Sequence, residues 1–407
     1  MKKLQQLGKQ FHPIVWVLLF GTIMTRAASA MTLPFLAIYL SREINLSPLL
    51  IGLTVGISPL MSAAGGFIGG HLSDRFGRKP VMLTSLFILS FVYACFSIAG
   101  SPVWFVVLNA LNGLCNSFFE PVSQALIADL TEKKNRMKAY SYRYTAINIG
   151  AAVGPLMGAY MASTSPKMAF LATASVYFIY CVLLFVLMKR FLFEGKKEGK
   201  EPVTFKAAAG IIRRDTALRY LILGSILVNI GYAQMESNLP QHLSQSIENS
   251  VAVYSILLTI NALMVVILQI PISHAAGKFK PMQVMIFGAI MTAGGLICFG
   301  YAAGWFLAAA AMILFTLGEI LIFPSSSLII DDLAQEHLRG TYFGAAQFRR
   351  AGSFMGPIFG GYLLGKAGGM VMFEVIGAIT LCSILFFLIG SRVQVKLPAV
   401  SVKKEML

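Results

Sequence analysis

Twelve apolar stretches divide this chain, each about as long as a helix that crosses a bilayer, and no water-soluble core has room for so many. A spanning helix needs roughly 20 predominantly apolar residues. Stretches that meet the criterion run over residues 14–40, 49–71, 80–100, 103–129, 139–162, 168–190, 217–241, 251–274, 281–302, 304–330, 341–364 and 370–391. Lipid offers no partner to backbone N–H and C=O groups, so each stretch must satisfy its own and be helical. Hydrophobic residues make up 57% of the 407-residue chain and charged residues 12%, against about 25% charged in a soluble domain. The expectation is an all-α membrane protein with twelve transmembrane helices, and its first solvent is lipid.

A net charge of +16 would suit a nucleic-acid binder, but the Lys and Arg fall in short runs between apolar spans, so no nucleic-acid partner is expected. With both termini cytoplasmic, 26 of the 33 basic residues lie on the cytoplasmic side. Arg42, Lys167 and Lys366 lie opposite, and Arg26, Arg143, Arg349 and Arg350 lie within spans. Such an asymmetry sets orientation. The apolar run after Met1, Lys2, Lys3 and Lys9 is too long for a signal peptide and lacks a cleavage pattern, so it reads as an uncleaved first span. The five cysteines all sit in apolar spans without metal-ligand spacing; they read as packing residues, and no metal site is expected.

The longest polar segment, 191–216, separates two halves, an N-terminal six-helix bundle over 1–190 and a C-terminal one over 217–407. The halves repeat. At an offset of 203 residues, Pro121, Ser123 and Asp129 fall on Pro324, Ser326 and Asp332, and His71, Phe76 and Met82 on His274, Phe279 and Met285. At 202, Tyr140, Gly150, Gly154, Pro155, Gly158 and Tyr160 fall on Tyr342, Gly352, Gly356, Pro357, Gly360 and Tyr362. Duplicated halves that rock about a midplane site are a feature of secondary transporters.

Between the second and third spans lies Gly70-His71-Leu72-Ser73-Asp74-Arg75-Phe76-Gly77-Arg78-Lys79-Pro80. Gly70 and Gly77 suit a tight turn, and Asp74 sits just before a helix start, where a carboxylate is favoured. This segment resembles the loop signature of the major facilitator superfamily, and the resemblance covers the whole chain. It implies a fold of two pseudo-symmetric six-helix bundles, in which Asp74 and Arg78, with Asp129 at the end of the fourth helix, latch one conformational state. A purely topological role for these charges is the alternative. Gly277 stands at the position of Asp74 in the second half, so the latch should be asymmetric. In the fifth span, Gly150, Gly154, Pro155 and Gly158 resemble the family's antiporter signature. Small residues four apart also let helices approach closely, and the eleventh span carries a similar pattern, so packing is the rival reading. Asn109 stands where proton-coupled drug exporters of the family carry an arginine. The first span, with Thr316-Leu317-Gly318-Glu319-Ile320 in the tenth, further resembles a bacterial branch that includes a dipeptide and amino-acid exporter.

A charge at the bilayer centre costs at least about 3 kcal/mol, so each needs a partner or a task. Counting 1.5 Å per residue, Arg26 lies about 18 Å deep and Glu120 about 14 Å. They are expected to pair, either as a proton-coupled switch or as a permanent tie between two helices. Glu319, at about 17 Å, with Arg349 and Arg350 at about 13 Å, is expected to form a matching set in the second half. Glu236 in the seventh span is a candidate for binding a cationic substrate, with Tyr232, Met235 and Tyr39 as candidate pocket residues. Gly65-Gly66-Phe67-Ile68-Gly69-Gly70 lacks the Lys-Ser/Thr ending of a phosphate-binding loop, so no cofactor is expected and the energy source should be a proton gradient. The resulting expectation is a non-enzymatic, monomeric, proton-coupled exporter of drugs or toxic compounds in a bacterial inner membrane, surrounded by lipid. Export of a metabolite such as a dipeptide, amino acid or siderophore, and proton-symport uptake, are the alternatives.

Overall fold

A computed structural model of the chain describes residues 11–42, 48–164, 166–191, 205–248 and 250–396, and all regular structure among them is helical. The first half comprises α1 (Pro13–Arg42), α2 (Pro48–Phe76), α3 (Arg78–Ile98), α4 (Pro102–Asp129), α5 (Arg136–Thr164) and α6 (Pro166–Phe191). A short α7 (Phe205–Arg214) follows in the connecting segment, whose residues 192–204 lie outside the described ones. The second half comprises α8 (Thr216–Ser237), a short α9 (Leu239–Ser246), α10 (Ser250–Ala276), α11 (Pro281–Gly300), α12 (Trp305–Leu333), α13 (Arg339–Ala345) and α14 (Arg350–Lys396). Gly368, at φ +81°, breaks α14 into the eleventh and twelfth spans. At 1.5 Å per residue, helices of 20–30 residues reach about 30–45 Å, enough to cross.

Helix boundaries follow local chemistry. Proline opens α1, α2, α4, α6 and α11 at or near the first position, where its missing N–H costs nothing. Asp215 caps α8 by accepting the Leu218 N–H at 2.9 Å, and its other oxygen accepts the Tyr342 hydroxyl at 2.7 Å, tying α8 to α13. Gly77, at φ +96°, turns α2 into α3, as expected. Gly70 does not turn. It lies inside α2, and its missing side chain admits the backbone of α13, since a Cβ there would sit 2.6 Å from the Gly340 carbonyl carbon.

The duplication is visible in the packing. In the first half α1 packs on α5, α2 on α4, and α3 on α4 and α6; in the second, α8 packs on α14, α10 on α12, and α11 on α12 and α14. Gly150 and Gly154 of α5 abut the backbone of α1, where Cβ atoms would lie 2.6 Å from Ile23 O and 2.5 Å from Ala27 O. Gly356 of α14 abuts Ile230 of α8 in the same way. Pro155, Gly158 and Tyr39 lie outside the residues whose side chains are described. The halves meet through α2 and α4 against α13, and α5 against α10 and α12. An apolar groove among Ala276, Phe279, Val284, Phe287 and Leu321 opens on the outer surface, away from the buried charges.

Candidate functional site

At the end of the molecule carrying the α2–α3 turn, ionic and hydrogen-bonded contacts join the halves. Asp74 receives Arg78 from its own half, and from across the interface the Gly340 N–H at 3.0 Å, the Thr341 N–H at 2.6 Å and the Thr341 hydroxyl at 2.6 Å. Arg78 also donates from Nε to Asp129 at 3.1 Å, and Asp129 accepts Arg339 of the other half at 2.7 Å. The structure therefore joins Asp74, Arg78 and Asp129, the three charges singled out in the sequence, and adds Arg339 and Thr341, which the sequence did not reveal. Arg136 of α5 donates to Asp331 of α12 at 2.8 Å, with the Asp331 side chain fully buried. Asp332, the position that aligns with Asp129, is instead part-exposed beside Lys133. The preceding acid turns inward because it meets two guanidiniums, Arg136 and Arg339.

Deeper between the halves, Glu120 of α4 is gripped by three arginines. Arg26 of α1 donates to both carboxylate oxygens, at 2.7 and 2.6 Å. Arg143 of α5 donates to Oε1 at 2.8 Å, and Arg350 of α14 reaches across to Oε2 at 3.0 Å. The expected Arg26–Glu120 pair is thus present within a larger cluster. A stripe of asparagines leads along α4 towards Glu120: Asn116 donates to Asn112 at 2.8 Å, Asn112 to Asn109 at 3.2 Å, and Asn109 to Thr54 O at 2.6 Å.

Glu319 of α12 is only 1% exposed, and its surroundings correct the expected matching set. Neither Arg349 nor Arg350 meets it: Arg350 goes to Glu120, and Arg349 lines a crevice with Ser225, Asn229 and Phe323. Glu319 instead accepts from Tyr144 of α5, from Tyr232 of α8 at 3.3 Å and from Asn261 of α10 at 2.7 Å. Asn261 also donates to the Thr316 hydroxyl at 3.0 Å. Aromatic rings hold this cage: Phe323 stacks on Tyr144 at 5.0 Å and meets Tyr232 edge-on at 5.3 Å. Tyr232 is therefore a carboxyl ligand as well as a candidate lining residue. Met235 is 5% exposed and belongs to the apolar core, with its carbonyl accepting from Tyr254 at 3.0 Å; it does not line an open pocket. Glu236 is exposed.

Comparison with known proteins gives one consistent answer. The sequence profile of the Major Facilitator Superfamily matches residues 18–351 and, in a second match, 250–405. An uncharacterized MFS-type transporter, YqjV of Bacillus subtilis, is 37% identical over 94% of this chain and 95% of its own. A Na(+), Li(+), K(+)/H(+) antiporter of Planococcus maritimus is 29% identical over 86% and 89%. The multidrug resistance protein MdtH of Escherichia coli is 23% identical over 89% and 88%. Among solved structures, the human organic anion transporter MFSD10 superposes with a TM-score of 0.73 at 16% identity, over 92% of this chain and 98% of that one. The proton:xylose symporter XylE superposes with a TM-score of 0.72 at 18% identity, over 92% and 94%.

Proposed function

The chain belongs to the Major Facilitator Superfamily, and from that premise we propose that it is a proton-coupled antiporter exporting small molecules from a bacterial cell, with Glu319 as the carboxyl that carries the proton. The observation that carries this reading is the contrast between two buried acids. Glu120 has three guanidinium partners and is ionised. Among the described residues Glu319 has only neutral hydrogen-bond partners, and an isolated buried carboxylate costs several kcal/mol. A proton removes that cost, and so does a bound cation. The two occupants exclude each other, and mutual exclusion at one carboxyl is the physical basis of exchange. A cation bound from one side of the membrane displaces the proton loaded from the other.

The latch end is taken as cytoplasmic from the placement of Lys and Arg. Its closure then corresponds to an outward-facing state, in which Glu319 loads an external proton. Exposed Glu236 and the Tyr232, Phe315 and Phe323 rings around Glu319 suit an amphipathic organic cation. An alkali cation is the second reading, favoured by the Glu319 carboxylate and the Thr316 hydroxyl, two oxygens that the Asn261 amide bridges, and by the Planococcus maritimus relative, a Na(+), Li(+), K(+)/H(+) antiporter.

Everted vesicles energised to an acid interior and carrying a pH-sensitive dye test the proposal. Sodium, lithium, potassium or ethidium should release protons in vesicles holding the wild-type protein and not in those holding Glu319→Gln. Proton release of equal size in Glu319→Gln would remove Glu319 from the mechanism. Accumulation of these cations without any proton movement would refute antiport itself.

A further inference from the structure

The cluster around Glu120 carries more positive charge than it can use. Three guanidiniums, Arg26 and Arg143 from the first half and Arg350 from the second, surround one carboxylate, and a fourth, Arg349, stands next to Arg350 in the chain. Glu120 accepts one or more bonds from each of Arg26, Arg143 and Arg350, which fills the roughly four acceptor positions of a carboxylate. A guanidinium offers five N–H donors, yet each of these three arginines spends only its Nη2 on Glu120. Arg143 is nine-tenths buried, and its Nε is buried with no acceptor among the described residues. Arg349 has no carboxylate at ion-pair distance among the described residues and lines a crevice with Ser225 and Asn229. Such an excess deep in a membrane protein demands compensation. The cluster is also reachable, since the side chains of Arg26 and Arg350 are 38% and 29% exposed while Glu120 is at 14%.

We infer that this cluster is an anion-binding site that takes a small monoanionic group, carboxylate or halide, on the N–H groups of Arg26, Arg143 and Arg350 that Glu120 leaves unused, with the charge of neighbouring Arg349 adding to its pull. Glu120 is its internal competitor. Because the arginines come from both halves, a bound anion ties α1 and α5 to α14 at the point where the halves must part. The group arrives either as a free anion or as the carboxylate of a zwitterionic substrate. The site shares no residue with the hydrogen-bonded cage of Glu319, and its test needs no proton gradient.

The experiment is thermal unfolding of the full-length protein in detergent, in a low-salt zwitterionic buffer, titrated with sodium chloride and with sodium acetate. Wild-type protein should show a saturable rise in Tm. Saturation by both salts identifies a free anion as sufficient; saturation by acetate alone identifies a carboxylate, the group a zwitterionic substrate would bring. Arg349→Gln, which breaks no ion pair, should weaken the apparent affinity at least tenfold. Arg350→Lys keeps the charge but loses the planar fork, and should weaken it by a similar factor. Glu120→Gln is the sharpest variant: removal of the competitor should lower Tm without added anion and raise anion affinity about tenfold, so that acetate rescues its stability. A Lys366→Gln surface control should behave as wild type. A Tm that follows ionic strength alone in every variant, with no rescue of Glu120→Gln, would overturn the inference.

Discussion

Glu120 and Glu319 are two copies of one side chain placed at similar depth in related helices, and their neighbours alone give them opposite characters. Three guanidiniums fix the first as an anion; two phenols and an amide surround the second. The amide contact, at 2.7 Å, is shorter than the 3.3 Å bond from Tyr232, so Asn261 is where the cage is most open to test. Asn261→Ala leaves Glu319 Oε2 buried without its donor, which should cost about 1–3 kcal/mol, read as a lower Tm in detergent. Against Glu319→Gln the same change should show a coupling of about 0.5–3 kcal/mol in a double-mutant cycle; strict additivity would mean that the two side chains do not act together. The Arg26–Glu120 pair was legible in the sequence because two opposite charges at matching depth have few other partners in lipid. The partners of Glu319 were not, because depth counting gives no azimuth, and Tyr and Asn are common enough within spans that none stands out.

At the scale of helices, glycine pairs do two separate jobs. Gly66 and Gly70 of α2 face Gly344 and Gly340 of α13 across the halves: a Cβ on Gly66 would lie 3.0 Å from Gly344 O, and one on Gly340 would lie 2.6 Å from Gly70 O. Gly150 and Gly154 join α5 to α1 within one half. Small residues at four-residue spacing bring backbones together in both places, but only the first contact has to open during transport. Gly340→Ala is therefore expected to populate the state open at the latch end by tenfold or more with little loss of helix content, read as a longer spin-label distance between α2 and α13. Gly150→Ala should lower Tm and leave that distance unchanged. If Gly340→Ala lowers Tm to the same degree and moves no distance, the α2–α13 contact is ordinary packing. The glycine motif of α5 was visible in the sequence, and its packing reading fits the geometry. The role of Gly340 and Gly344 was not visible, since contacts between halves leave no local periodicity.

For the whole molecule, the twelve spans and the duplication were readable because lipid forces helices of set length and because the halves share an offset that preserves Pro, Gly and Asp positions. What the repeat conceals is its own breakage. Asp331 rather than Asp332 is buried, and the second half answers Asp74 with the N-terminus of α13 and Asp129 with Arg339 instead of a copied loop. The closed end then rests on two kinds of ion pair joining the halves: Arg339–Asp129, part-exposed, and Arg136–Asp331, with the acid at 0%. An exposed pair contributes at most about 1 kcal/mol, whereas removing one partner of a buried pair costs about 3–5 kcal/mol because the other charge stays desolvated. The part of that cost due to Arg136 falls only on the closed state, since opening returns Arg136 to water, whereas the Arg339–Asp331 contact lies within one half and is lost in both states. Asp331→Asn alone should thus shift the balance between states a hundredfold or more, and Asp129→Asn about fivefold. Val265 of α10, at 0% exposure in the cluster with Tyr144 of the opposite half, reports the opening directly. In a background without the five native cysteines, a Val265→Cys probe should react with a water-soluble maleimide far faster once Asp331→Asn is added, and only slightly faster with Asp129→Asn. Equal rates in the two variants would mean that burial of the Arg136–Asp331 pair is not what holds this end closed, and that the weight lies with Asp74 and the α2–α13 contact.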